Sequence, residues 1–377
     1  PYTTLFRSVS YVATLERNAA VRDAEAVIER ALADLRSAHN GDAALSAFRA
    51  AQNSIAAISL EEKTVQPVHI DDILPAVVDR VDARNRGLEE ARSLMTGIEE
   101  LDEKTGGIEP TDLVFIAARP SMGKTELALD IIDKVSEQGR GVLFFSMEMP
   151  NIQIGERMVS AAGGMSVSRL KKAADFEDED WARLTNGVER LTGRSIWMVD
   201  STDLTVDQIQ QIATRLQLAH PEIALVVVDY LALIKIESTA RYDLAVGEVS
   251  KGLKRLAKSN KTPVLALSQL SRGVESRPNK RPMNSDLKNS GEIEADADLI
   301  MMLYRDEVYN PESPAKGIAE INVTKQRNGE LGTIYRRFYN GHFLPIDQEL
   351  AKQRSAPQQK TQTRRYAKDR QSSNAHY

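Results

Sequence analysis

The sequence predicts an α/β fold, a mostly parallel central sheet preceded by a small α-helical segment, and three observations carry that prediction. Short continuous Val/Ile/Leu runs alternate with stretches of helical periodicity beyond Thr96. A phosphate-loop-like octapeptide stands between one of those runs and the helix that follows it. Before Thr96 the apolar residues recur at helical spacing instead. A strand buried on both faces reads as an unbroken apolar run, so runs joined by helices are what a parallel sheet covered on both sides requires.

The elements follow in order. The chain opens with Pro1, and residues 1–10 join no helical pattern, so they are read as a fragment edge or foreign scar without a function. From Tyr11 to about His39, Val12, Leu15, Val27, Ile28, Leu32 and Leu35 fall at spacings compatible with helix. His39-Asn40-Gly41 stops that run, and Asp42 caps a second helix carrying Leu45, Phe48, Ile55 and Ile58. Residues 11–60 thus read as a helical hairpin. A polar stretch, Glu61 to Pro67, leads to a third helix from Asp71 to Leu94, with Ile73, Leu74, Val77, Val78 and Val81 on one side, so residues 61–95 form a linker. Such an apolar stripe needs a covering surface, on its own domain or on a neighbouring subunit.

In the domain predicted over residues 96–347, the strands are Leu113–Ala118, Val142–Ser146, Ile196–Asp200, Leu225–Asp229, Val264–Ser268 and Leu299–Tyr304. Helices are expected over Thr125–Val135, Val206–Ala219 and Leu244–Ser259. Ligands of such sheets bind outside the carboxyl ends of the strands. Residues 348–377 read as a disordered basic tail, with seven basic residues against one acidic residue after Ala351.

Composition narrows the function. With 377 residues, 42% of them hydrophobic, the chain is long enough for a large domain plus a smaller attachment. Cysteine is absent, which excludes disulfides and cysteine-ligated zinc, and five histidines make a histidine-rich metal site a poor reading. That usage fits a reducing cytoplasm. The apolar run Ile223–Val228 is far too short to span a bilayer, and no secretory signal is visible. A net charge of −5 argues against coating nucleic acid by bulk electrostatics, so any such site must be a local cluster of Lys and Arg.

The octapeptide Ala118-Arg119-Pro120-Ser121-Met122-Gly123-Lys124-Thr125 matches the phosphate-binding loop except that alanine replaces the first glycine. Its backbone N–H groups and the helix N-terminus are suited to cradle phosphates, Lys124 to neutralise the β and γ oxygens, and Thr125 to hold Mg²⁺. ATP and Mg²⁺ are the expected cofactors. Asp229 ends the run Leu225–Val228, where an acid orients Mg²⁺ through water, although a strand-end acid also caps turns. Glu148, just after Val142–Ser146, is placed to take a proton from water; in isolation such a residue is more often a solvated loop residue. Gln269 after Val264–Ser268 can sense a γ-phosphate with its amide, or simply be an exposed strand-end residue.

As a set these residues resemble the DnaB-type replicative helicases, hexameric RecA-like P-loop NTPases. The resemblance covers roughly Tyr11 to Pro345 and is strongest in Thr96–Asp102, Thr105–Asp112, Ala117–Thr125, Phe144–Pro150, Val227–Leu231, Leu267–Arg272, Lys280–Tyr309 and Thr324–Gly329. It implies that Glu148 is the catalytic base, that Asp229 belongs to the Mg²⁺ site, and that Gln269 is the sensor between nucleotide and DNA. It further implies that Thr324-Lys325-Gln326-Arg327-Asn328-Gly329 reaches a neighbouring subunit's ATP. Lys325 and Arg327 are then trans-acting fingers, their spacing of two placing both on one side of a strand. A basic edge strand that discourages aggregation is the plain alternative.

The segment Lys280 to Gly291 is basic at its start and ends in small polar residues, and from Gln269 to Ser290 five basic residues face two acidic ones. By resemblance, its part from Asp286 to Gly291 lines a central channel, with Lys288, Asn289, Ser290 and Gly291 meeting single-stranded DNA. Many family members carry Arg-Glu where this chain has Lys288-Asn289, which weakens bidentate phosphate contact. No aromatic residue interrupts the stretch Lys280–Gly291, so it favours tracking of the backbone over base stacking. A solvated loop of scattered charge is the bland reading.

The family also implies a homohexamer, 5′ to 3′ travel, contacts with primase and a helicase loader, and a larger N-terminal domain of which Tyr11–Ile58 retains the hairpin. Two other readings stay open. A RecA-like recombinase would exchange strands rather than displace them, and a nucleotide-gated DNA-binding ring would bind without turnover.

Overall fold

The computed structural model describes residues 25–41, 43–44, 46–50, 67–86, 93–229, 231, 234, 242–287, 290–327 and 329–356. The chain divides into two compact units, residues 1–86 and 87–377.

In the first unit, residues 25–37 are helical and residues 41, 43–44 and 46–50 are helical again. The turn between them is capped by Asn40, whose Oδ1 accepts the Ala43 N–H at 2.8 Å. The expected cap, Asp42, lies outside the described residues, as do Leu45, Ile55, Ile58 and everything before residue 25. A separate helix runs Ile70–Asn85, with Asp71 and Asp72 in its first turn, where carboxylates complement the helix dipole. Ile73, Leu74, Val77, Val78 and Val81 along it are exposed. The expected continuation to Leu94 is corrected: Leu94 belongs to the second unit, where it pairs with Ile108 in an isolated antiparallel bridge. Its buried side chain joins the core there, and that burial outweighs a helical extension.

The second unit is organised by one sheet. Its strands are β1 (Leu113–Ala118), β2 (Gly141–Ser146), β3 (Ile196–Asp200), β4 (Ile223–Asp229), β5 (Val264–Gln269), β6 (Leu299–Tyr304), β7 (Ile318–Gln326), β8 (Gly332–Tyr339) and β9 (His342–Leu344). Their spatial order is β3-β2-β4-β5-β1-β6-β7-β8-β9. The pairs from β3 to β6 are parallel, and β6 to β9 add an antiparallel edge.

Period-two alternation divides the core. Val114, Ile116, Val227, Leu265 and Met301 face one layer with Leu127, Ile131 and Val135 of the helix Lys124–Glu137. Leu113, Phe115, Val226, Val228 and Ile300 face the other with Ile209, Leu253 and Leu256 from the helices Val206–Ala219 and Tyr242–Asn260. Each fully buried aliphatic side chain contributes roughly 1.5–3 kcal/mol relative to exposure, so both faces must be covered for the sheet to persist. The helices that follow β1, β2, β3 and β4 provide that cover.

Two further elements depart from expectation. The antiparallel edge does not read as strands in the sequence because β7 and β8 carry Glu320 and Arg336 inside, at 5% and 3% exposure. Arg281 holds Glu320 with two hydrogen bonds of 2.7 Å, so a charged residue occupies a core-facing position. The tail expected to begin at residue 348 starts instead with the helix Gln348–Ser355. Asp347 caps it by accepting the Leu350 N–H at 2.8 Å, and Ala351 packs beside Ala315 and Ile318. Residues 357–377 lie outside the described residues. Among the described residues no helix is long and apolar enough to cross a membrane.

Candidate nucleotide-binding site

β1 runs through the middle of the sheet and delivers the phosphate loop to its rim, followed by the helix Lys124–Glu137. The first motif position, Ala118, still pairs in β1 and has an ordinary negative φ, so nothing there demands glycine. The left-handed turns come later, at Ser121 (φ 66°) and Gly123 (φ 100°). A Cβ on Gly123 would stand 3.2 Å from Phe343 and 3.3 Å from Phe338, so conformation and crowding both select glycine. No side chain caps the following helix, whose first N–H groups are therefore left to an anion.

Parallel register brings the other candidates to the same rim. Ala118 pairs with Gln269 across β1 and β5, and Ser146 pairs with Asp229 across β2 and β4. Asp229 is 1% exposed; one oxygen accepts the Thr125 hydroxyl at 2.7 Å and the other lies 3.1 Å from Lys124 Nζ. Burying a carboxylate this deeply is tolerable because a cation and a hydroxyl face it. The turn bearing Glu148 is anchored by the Met147 N–H, which donates to the Asp229 carbonyl at 2.8 Å, and by the Ser146 hydroxyl on the Met149 carbonyl at 2.5 Å. Glu148 itself is exposed.

The loop residues Arg119, Pro120, Ser121, Gly123, Lys124 and Thr125, together with Glu148 and Gln269, line a cavity of about 470 Å³, whereas Asp229, buried against Lys124 and Thr125, does not line it. Met122 is the loop residue set apart: its side chain is 1% exposed and packs into the core. Arg119 is turned aside, donating to Glu275 and to the Leu270 carbonyl.

Glu126, Arg157, Phe338 and Gly341 also line the cavity, and sequence reasoning misses them. A signal exists for the last two. Asn340-Gly341 is a two-residue hairpin turn with both φ positive, 53° and 93°, the geometry an Asn-Gly pair favours between strands. Arg157 carries no comparable signal, since its helix Asn151–Ala162 shows its relation to β2 only once folded. Behind the loop, Glu126 accepts from His342 Nδ1 at 2.5 Å and the Met165 carbonyl accepts from Nε2 at 2.8 Å. A carboxylate and a carbonyl facing the two ring nitrogens favour the protonated ring. Burial alone would lower its pKa, but the Glu126 hydrogen bond, the Glu126 charge and the Met165 carbonyl together raise it.

A hard divalent cation fits the Thr125 hydroxyl and Asp229 carboxylate. They form an adjacent pair of oxygen donors, with Oδ1 of Asp229 also facing the Lys124 ammonium at 3.1 Å. No group of three or more His, Cys, Asp or Glu able to hold a metal exists among the described residues.

The other predicted residues lie elsewhere. Lys325 is in β7 and Arg327 one residue past its end, and neither lines this cavity. Lys325 Nζ donates to the Glu294 carbonyl, while Arg327 donates to the Ala295 carbonyl at 3.0 Å and pairs with Asp298 at 3.3 Å. Both cations thus lean over the end of the helix Ser290–Asp296. Burial, then the Arg327 charge, lowers the pKa of Lys325. Lys288 and Asn289 lie outside the described residues; Ser290 opens that short helix, and Gly291 in it is exposed.

A parallel sheet whose central strand runs into a phosphate loop, with an acid and an amide delivered to the same rim by the next two strands, defines a RecA-like P-loop protein. Within that class, the chain belongs to the family described as DnaB-like helicase C terminal domain, which matches residues 93–344. It is 40% identical over 303 residues to the replicative DNA helicase DnaB of Buchnera aphidicola subsp. Baizongia pistaciae, covering 79% of this chain and 65% of that protein. Against the Pasteurella multocida DnaB it is 38% identical over 311 residues, covering 81% and 66%. The chain thus spans less than two thirds of the length of these relatives.

Solved structures align with it as well. One, described as an ATPase domain, matches with a TM-score of 0.70 at 33% identity, covering 75% of this chain and all of that one. A DnaB-like replicative helicase, described with its interactions with primase, matches with a TM-score of 0.75 at 30% identity, covering 90% and 78%.

Proposed function

We propose that this chain is the ATP-driven motor of a replicative DNA helicase, hydrolysing ATP to travel 5′ to 3′ along single-stranded DNA and exclude the other strand. The observation that carries the reading is the convergence of Lys124, Thr125, Glu148 and Gln269 on one cavity at the sheet's rim, with the buried Asp229 carboxylate held against Lys124 and Thr125. Family membership selects the helicase over the recombinase reading, and Glu148 on the wall of that cavity favours turnover over a passive ring.

In the proposed cycle the loop amides and Lys124 hold the β and γ phosphates of ATP. Thr125 and Asp229 would hold Mg²⁺, which would supply charge neutralisation at those oxygens. Glu148 accepts the proton of the attacking water. Gln269, one strand from the loop, registers whether the γ-phosphate is present. Lys325 and Arg327 act on the nucleotide of the adjacent subunit, which is why they miss their own cavity. Lys288, Asn289, Ser290 and Gly291 hold the DNA backbone, and loss of the γ-phosphate moves that grip.

The assembly is a homohexamer working in the cytoplasm at the nucleoid. The helical hairpin is the counterpart of the family's N-terminal hairpin, and the exposed stripe on Ile70–Asn85 docks on an adjacent motor. Primase and a loader are the further partners; the structurally similar helicase described with primase supports the first. The test is displacement of a labelled strand from a forked duplex. The wild type should separate it with ATP and Lys124→Ala should not; strand exchange without displacement would reverse the reading.

A further inference from the structure

Arg119 and Glu275 sit in segments with different tasks. Arg119 follows β1 and opens the phosphate loop, whereas Glu275 lies in the 3₁₀ turn Arg272–Ser276 just beyond β5. The guanidinium, 11% exposed, donates from Nε and Nη2 to Glu275 Oε1 at 2.9 and 2.7 Å, and from Nη1 to the Leu270 carbonyl at 2.8 Å. A planar fork held at three points transmits displacement as a rigid piece, which a flexible ammonium cannot do.

The turn is joined in its own right to the chain that leads to the DNA segment. The Ser271 N–H donates to the Asp286 carbonyl at 2.8 Å, and Leu270 bridges Leu287. Arg277 donates to Asp286 Oδ2 at 2.6 Å. Leu287 immediately precedes Lys288.

We infer that the Arg119–Glu275 pair is a strut carrying the state of the bound nucleotide to the DNA-facing segment, with Glu275 as a positioning residue. The inference rests on the reading of Lys288 to Gly291 as the DNA contact. Gln269 supplies a route through one amide at the cavity wall; the strut supplies a second, from the phosphate loop directly to the turn beyond. Glu275 is 45% exposed, so the pair adds little to stability and its position serves geometry better than folding. Both ends meet an element with its own connections, which is the physical requirement for coupling two sites.

The test uses the full chain as wild type, Glu275→Ala and Glu275→Gln, the last keeping one acceptor oxygen at the same reach. Amide hydrogen exchange across residues 270–287 is compared with ADP and with a non-hydrolysable ATP analogue, alongside ATP turnover with and without oligothymidylate. In the wild type, exchange should differ between the two nucleotides by at least about threefold. Glu275→Ala should lose that difference and most of the DNA stimulation, with basal turnover and the KM for ATP held within about twofold. Glu275→Gln should recover part of both. A Glu275→Ala chain that keeps the nucleotide-dependent exchange overturns the strut, as does loss of basal turnover together with the coupling, or a wild type whose exchange ignores the nucleotide. A wild type that turns over ATP without DNA stimulation, yet shows nucleotide-dependent exchange abolished by Glu275→Ala, contradicts the motor reading and leaves the strut intact.

Discussion

Thr125 donates its hydroxyl to the buried Asp229 carboxylate at 2.7 Å, which joins the phosphate loop to the tip of β4 before any nucleotide is considered. Lys124 sits against the same carboxylate, at 3.1 Å. Asp229→Asn keeps the shape and removes the charge that Lys124 and a divalent cation both face. Steady-state ATP turnover at saturating Mg²⁺ should fall on the order of 100-fold or more. Turnover within a few-fold of wild type would remove Asp229 from the cation site.

Glu148→Gln separates binding from chemistry. The amide cannot accept the proton from water, so turnover should drop about 10²- to 10⁴-fold while ATP affinity, followed by equilibrium titration, stays near wild type. Parallel losses of affinity and turnover would mean that Glu148 shapes the cavity instead.

Gly123→Ala forces a Cβ into a left-handed residue, φ 100°, and against Phe343 at 3.2 Å. The backbone term alone costs roughly 1–2 kcal/mol, to be read as a lower melting temperature together with weaker ATP binding. An unchanged melting temperature would show that the loop relaxes without strain.

His342 gives a pH dependence with a definite sign. Its pKa is raised in the folded chain because, against the cost of burial, Glu126 and the Met165 carbonyl favour the imidazolium. A raised folded pKa stabilises fully below the unfolded value of about 6.5 and is lost as pH climbs through the folded one. The melting-temperature gap between wild type and His342→Gln should therefore be widest in mild acid and shrink as pH rises. A gap that widens toward alkaline pH would reverse the assignment of charge to the ring.

Arg327→Ala tests action across a subunit boundary. DNA-stimulated turnover should fall on the order of 10³-fold. Mixing it with Lys124→Ala chains should restore part of the activity, because some mixed interfaces then combine an intact phosphate loop with an intact finger. Mixtures no more active than their parents, or an active Arg327→Ala chain, would place the residue outside the reaction.

Legibility in the sequence follows burial. The apolar runs bound β1 and β6 as Leu113–Ala118 and Leu299–Tyr304 because a central parallel strand has a largely apolar sequence, and the structure has the same bounds; the edge strand β3, only half-buried, also keeps its expected bounds, Ile196–Asp200. The loop, Asp229, Glu148 and Gln269 are legible because each follows or ends such a run. β7 and β8 are obscured by Glu320 and Arg336, whose burial depends on partners far away in sequence, Arg281 and Glu100 among them. Arg157 reaches the cavity from a helix that only the completed sheet brings near. The helix over Gln348–Ser355 is hidden by its own composition, since only Ala351 and Ser355 in it are buried.

A nucleotide held at the tip of β1 should drive a grip on DNA, and ATP hydrolysis by the intact chain with and without single-stranded oligothymidylate tests that coupling most directly. The prediction is turnover in the wild type that rises on adding the oligonucleotide and disappears in Lys124→Ala. A wild-type chain that binds the oligonucleotide yet hydrolyses no ATP above the Lys124→Ala background would contradict it.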